Sequence, residues 1–229
     1  MTVYLVPCGI SILNWLRNSD DVYRHADPAI VDEFCEAEEQ WRARAEQDLD
    51  SWKASVLGKA NAARIAEWDP RASAETSTLS ARRPGKPLLG DKDRVVLLTS
   101  DTGEGISAAL CVAAVIAAGE PDRIDGIAAP DTATRPGAVT VIRIPGLKPS
   151  GTGLGTAVTG IGTVLRAALD LDETAGKIEV HLTGGYKAVL LHMLAMTEVA
   201  HSLSPKRVSA YYIFEDTGSQ SAVQIGLRC

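Results

Sequence analysis

The sequence is poor in aromatic residues, 5% of the chain, and lacks any basic excess: 23 Lys and Arg stand against 29 Asp and Glu, a formal net charge of −6. A chain without a broad positive field does not hold long nucleic acid or an anionic membrane surface nonspecifically, so neither is expected as a partner. No apolar run of membrane-spanning length and no secretory leader is seen. The four cysteines, Cys8, Cys35, Cys111 and Cys229, are scattered, with no CxxC pair and no nearby His to complete a zinc set. A cytoplasmic protein with reduced thiols, no metal and no cofactor is the expectation. Internal repeats of fixed period and low-complexity tails are also lacking.

What the chain has instead is aliphatic bulk. Hydrophobic residues make up 45% of its 229 positions, enough for one α/β core plus an insertion. Thr2 to Val6 predicts a short strand, Pro7-Cys8-Gly9-Ile10-Ser11 a turn, and Ile12 to Leu16 a helix start, where Ser11 reads either as an N-cap or as a ligand contact at a strand end. Asp27-Pro28 opens a long helix in a helical insertion spanning about 27–70. Its stripe of Val31, Phe34, Trp41, Ala45, Leu49, Trp52 and Val56 either packs on its own domain or meets a partner. A short helix capped by Ser73 follows. The connector at 81–93 carries Arg82, Arg83 and Lys86, which read as solvated loop residues or as an anion site.

Arg94 to Thr99 predicts a buried strand, Ser100-Asp101-Thr102-Gly103-Glu104-Gly105 a polar turn, and Ile106 to Ala118 a nearly uncharged helix. Asp101 and Glu104 have the spacing of a capping box; the functional alternative is carboxylates that contact ribose hydroxyls or a base edge. Residues 119–137 read as loop and Val139 to Ile144 as a strand. A helix then ends near Leu171. Gly151, Gly153 and Gly155 give GxGxG spacing with no strand directly before it, so the nicotinamide fingerprint fails, and no Walker lysine follows. Lys177 to Val180 predicts another strand, Ala188 to Leu203 a helix, and Val208 to Phe214 and Ala222 to Leu227 a closing hairpin around the turn at 215–219. Such alternation implies an α/β fold of Rossmann-like type, a mostly parallel sheet flanked by helices with an antiparallel C-terminal edge.

Between the strand and helix of that last unit lies His181-Leu182-Thr183-Gly184-Gly185-Tyr186-Lys187. A glycine turn entering a helix aims backbone N–H groups and a helix dipole at one point, with Thr183 and Lys187 beside it, which is equipment for a phosphate.

With Val6-Pro7-Cys8-Gly9-Ile10-Ser11, Ser73-Ala74-Glu75, Leu98 to Gly105, Leu182 to Lys187 and the closing Tyr212 to Thr217, the chain resembles the CARF (CRISPR-associated Rossmann fold) proteins. The likeness is to small members related to the sensor halves of CRISPR ribonucleases and to ring nucleases, and it covers 1–229 as one domain. Departures are Leu182, where many relatives carry a polar residue, and Ile10, where Thr is common.

The resemblance implies a homodimer that binds a cyclic oligoadenylate, usually the four-membered ring, across its two-fold axis. It implies ligand contacts at Cys8, Gly9, Ile10 and Ser11, at Ser100, Asp101, Thr102, Gly103 and Glu104, and at Thr183, Gly184, Gly185, Tyr186 and Lys187. Backbone N–H groups of the Gly9 to Ser11 and Thr183 to Lys187 turns would hold phosphates. Ser11 and Lys187 are the implied catalytic pair, with Arg143 or Lys148 assisting. The Arg-x4-6-His motif of the HEPN ribonucleases fused to many relatives is not seen, so no effector domain is expected. The chain is then either a ring nuclease or a noncatalytic sensor that works through a separate effector protein.

Overall fold

Runs of aliphatic residues with few turn formers build the strands at the centre of the molecule. The computed structural model describes residues 1–13, 73–147, 153–171, 176–185, 187–213 and 221–228. The insertion expected at about 27–70, the turn at 215–219, Lys148, Tyr186, Cys35 and Cys229 lie outside them.

Among the described residues seven strands form one sheet: β1 (Thr2–Pro7), β2 (Arg94–Thr99), β3 (Ile124–Ala128), β4 (Ala138–Arg143), β5 (Lys177–His181), β6 (Val208–Tyr212) and β7 (Val223–Ile225). Their order is β3-β4-β2-β1-β5-β6-β7. All neighbours pair in parallel except β6 and β7, which close the sheet as an antiparallel edge. The α/β class and the C-terminal antiparallel edge are therefore as the residue pattern predicts.

Among the described residues the sheet is flanked by helices α1 (Ala74–Arg82), α2 (Gly103–Ile116), α3 (Leu154–Asp170) and α4 (Lys187–Leu203). Because strand side chains alternate, β1, β2 and β4 each feed two cores, while β5 and β6 add to one of them. Tyr4, Val6, Val95, Leu97, Val139 and Val141 pack with Leu79 of α1 and the buried face of α2. Val3, Leu5, Val96, Ile142, Ile178 and Val180 pack on the other side with Val164 of α3 and Met193 of α4.

Residues 119–137, expected to be loop, contain a 3-10 turn at Pro121–Arg123 and the edge strand β3. Its five residues hold Asp125 and Gly126, and only Ile124 and Gly126 are buried, so the alternation is too short to register as a strand in isolation. Pairing with β4 supplies what the local sequence lacks.

Helix α1 starts where Ser73 predicts, with Ser73 Oγ accepting the Thr76 N–H at 3.2 Å. Its other end corrects the connector reading. Arg82 lies in the helix and donates from Nε and Nη2 to the two carboxylate oxygens of Glu179 on β5, at 3.0 and 2.9 Å, while its guanidinium stacks 3.9 Å from the Tyr211 ring centroid. Arg83 donates to Asp93, to Tyr4 Oη and to the Pro87 carbonyl. Both arginines are fastened to the sheet and its turns, because a planar fork gains more from a half-buried carboxylate than from solvent.

Glu179 is 5% exposed and His181 1%, and the His181 ring meets Tyr4 and Tyr211 edge-on. Burial by itself would push the Glu179 carboxyl up, but neighbouring His181 and the Arg82 fork outweigh it and hold it down at about 2. Burial also lowers His181 below its usual 6.5, against the pull of Glu179, whose Oε2 lies 3.7 Å from the His181 Nε2. Glu179 therefore contributes stability that is present above pH 4.5 and lost as pH falls toward 2. His181 stays neutral while the unfolded chain protonates, so stability also falls as pH drops below 6.5.

Arg82→Ala is expected to cost about 2 kcal/mol at neutral pH, less than a fully buried pair because the Arg82 side chain is 30% exposed. His181→Phe, which keeps a ring between the two tyrosines, should flatten the loss of stability that sets in below pH 6.5. Urea midpoints measured across pH check both.

Candidate functional site

Neighbouring strands β1 and β5 send their following segments to opposite faces of the sheet: Ile12 and Leu13 pack beside α1 and α2, whereas α4 packs beside α3. Where adjacent strands part in this way, a crevice opens at their carboxyl ends. Loops from β1, β2 and β5 meet there around a cleft of about 180 Å³. Its walls include Cys8, Gly9 and Ile10 from the first loop, Ser100, Thr102 and Glu104 from the second, and Gly185 from the third. Apolar side chains outside the expected ligand contacts, Leu98, Leu147, Ile161 and Val189, also line it. The volume is below that of pockets enclosing a whole drug-sized ligand, so it suits one group of a larger molecule.

The first and third loops approach so closely that side chains are excluded between them. A Cβ on Gly184 would stand 2.3 Å from Glu75 Oε1, and one on Gly185, whose φ is +91°, would stand 2.6 Å from the Pro7 Cβ. Glycine is required at both positions, by space at the first and by space and conformation at the second.

Beneath these glycines lies Glu75 of α1, 1% exposed. Its Oε1 accepts the Gly9 N–H at 2.8 Å and its Oε2 accepts from Ser11 Oγ at 3.0 Å. Burial raises the Glu75 pKa above 4.5, opposed by the hydrogen bonds that Gly9, Ser73 and Ser11 make to it. Burial, with Glu75 and Cys111 nearby, also pushes the Cys8 thiol well above its usual range, so Cys8 is a neutral wall residue. The Gly9 N–H, expected to face a phosphate, is instead committed to Glu75. Glu75 stands in the Ser73-Ala74-Glu75 motif, yet no local signal assigns it to the site, because its partners lie 64 and 66 residues away.

The second loop corrects the capping box. Helix α2 is capped by Thr102, whose Oγ1 accepts the Gly105 N–H at 3.1 Å. Asp101 instead pairs with Arg143 at the end of β4 and accepts the Gly146 N–H at 3.2 Å. A guanidinium one parallel strand away is a stronger partner for a carboxylate than a helix N–H, so the cap passes one residue along. Arg143, offered as an assisting cation, is thereby tied to Asp101. In the third loop, Thr183 Oγ1 accepts the Ile213 N–H at 2.9 Å and ties the turn to the end of β6. Lys187 is the first residue of α4 and is exposed.

Of the expected ligand residues, Cys8, Gly9, Ile10, Ser100, Thr102, Glu104 and Gly185 line one cleft. Ser11, Asp101, Gly103, Thr183, Gly184 and Lys187 stand around it rather than in its wall. A comparison with protein-family models and with curated proteins finds no match for the chain.

The arrangement offers a small, mostly apolar cleft with hydroxyls and a carboxylate in its lining, a serine fixed by a buried carboxyl, and an exposed ammonium at a helix start. Gly184→Ala is expected to cost about 1–3 kcal/mol by displacing Glu75. Gly185→Ala should cost more, since its positive φ adds on the order of 1–3 kcal/mol. Gly155→Ala, in the first turn of α3 with open space where a Cβ would stand, should stabilise by about 0.5 kcal/mol. Thermal and denaturant midpoints of the three variants check the order.

Proposed function

We propose that the protein binds a cyclic oligoadenylate, cyclic tetra-adenylate by preference, at a two-fold site shared by a homodimer, and cleaves it as a ring nuclease in type III CRISPR signalling. The reading draws on the CARF resemblance of the four motifs. The observation that carries it is Ser11, held by buried Glu75 beyond the carboxyl end of β1, at the same end of the sheet as the exposed Lys187 that opens α4.

In the proposed reaction the substrate supplies its own nucleophile. A ribose 2′-OH attacks the adjacent phosphorus in line; the O2′–P bond forms, the P–O5′ bond breaks, O2′ loses a proton and O5′ gains one. The products are linear fragments ending in a 2′,3′-cyclic phosphate, and the protein supplies alignment and charge neutralisation. Lys187 neutralises charge building on the phosphate. Ser100, Thr102 and Glu104, which line the cleft, take the base and ribose contacts, because Asp101 is committed to Arg143.

A four-membered ring of identical nucleotides has two-fold symmetry, which an isologous dimer matches with one set of residues. The homodimer draws support from α4, where Leu191, Val199 and Leu203 are 73%, 63% and 74% exposed and follow Lys187 along its four-residue ridge.

Incubation with cyclic tetra-adenylate in EDTA should yield linear di-adenylate with cyclic phosphate ends. Lys187→Ala should slow cleavage on the order of a hundredfold. Intact ring retained on the wild-type protein would instead make it a noncatalytic sensor acting through a separate effector, and failure to bind any cyclic oligoadenylate would sink both readings.

A further inference from the structure

A serine hydroxyl meets a ligand in two ways, giving its hydrogen or accepting with its lone pairs, and sequence does not choose between them. At Ser11 the choice belongs to Glu75. Its Oε1 is occupied by the Gly9 N–H at 2.8 Å, and its Oε2 lies 3.0 Å from Ser11 Oγ. While Glu75 is ionised it has no hydrogen to give, so Ser11 turns its hydrogen inward and leaves its lone pairs for the ligand.

We propose that Glu75 is a positioning residue that fixes Ser11 as a hydrogen-bond acceptor for the ribose 2′-OH rather than a donor to the phosphate. The assignment rests on the ring-nuclease reading. Accepting from the 2′-OH points the hydrogen of the nucleophile at the protein and one of its lone pairs at phosphorus. A phosphate oxygen brought to the same spot would face lone pairs backed by a carboxylate, so the phosphate falls to Lys187.

Geometry keeps Glu75 in this role. It is 1% exposed, and the missing Gly184 side chain leaves a space that its Oε1 fills. The groups that face it are the Gly9 amide, the Ser73 and Ser11 hydroxyls and the Cys8 thiol. When Glu75 takes up a proton in acid it gains a hydrogen to give Ser11, and the polarity of the serine reverses.

Glu75→Gln makes that reversal permanent at nearly constant shape: the amide oxygen keeps the Gly9 N–H while the NH2 donates to Ser11. Its kcat on cyclic tetra-adenylate should fall on the order of a hundredfold, with ring affinity little changed. Combined with Ser11→Ala it should add no further loss, since both changes act through one hydroxyl. Unchanged kcat in Glu75→Gln, or a second full loss on top of Ser11→Ala, overturns the proposal.

A readout free of turnover separates this proposal from the reaction it serves. The Gly9 amide shift, followed by NMR against pH, reports the ionisation of Glu75, and Ser11→Ala should raise its midpoint by removing a hydrogen bond to the carboxylate. A midpoint that stays put overturns the acceptor assignment, whatever the enzyme does. A raised midpoint in Ser11→Ala, together with a wild-type protein that leaves the ring intact, supports the acceptor geometry and defeats the ring-nuclease reading.

Discussion

The carboxyl of Glu75 is the interaction on which the candidate site depends. Removing a carboxyl from water is costly unless hydrogen bonds replace the lost hydration, and here the replacements are the Gly9 N–H and the Ser11 hydroxyl. The same contacts shape the loop after β1. Because the carboxyl also fills the space left by Gly184, one side chain governs the loops that follow two adjacent strands.

The rest of the fold serves to put Glu75 there. Strands β1 and β5 lie side by side in parallel, so their carboxyl ends emerge together and the glycines of their loops can nest. The second loop is set by a different tie, Asp101 with Arg143 and the Gly146 amide, which joins the segments following β2 and β4. The cleft is thus walled by loops whose backbones are fastened to charged side chains from other elements. That is how a site on loops acquires the rigidity of a site on regular structure.

The parts legible in the sequence are those that depend on neighbours in the chain. Aliphatic runs announced β1, β2, β4, β5 and β6, and Ser73 announced the start of α1. The parts that were not legible depend on partners distant in the chain. Edge strand β3 is held by β4 and not by its own pattern. Asp101 has the spacing of a helix cap but finds Arg143 across 42 residues, leaving the cap to Thr102. Arg82 and Arg83 look like connector charges until β5 brings Glu179 beneath one and the turn at Asp93 meets the other. Glu75 belongs to the same class: its motif was visible, but what it binds was not.

Helix α1 carries Glu75 in its first turn and Arg82 at its last residue, two helical turns apart and so on one face. One grips the loops at the strand ends and the other grips Glu179 within β5. The helix is a strut cut to the spacing between those two points on the sheet. Substitutions on its outer face leave that span untouched, but one residue gained or lost between the two grips rotates one of them by about 100° away from its partner. The sheet therefore sets the interval from acid to arginine along α1, whatever residues stand between them.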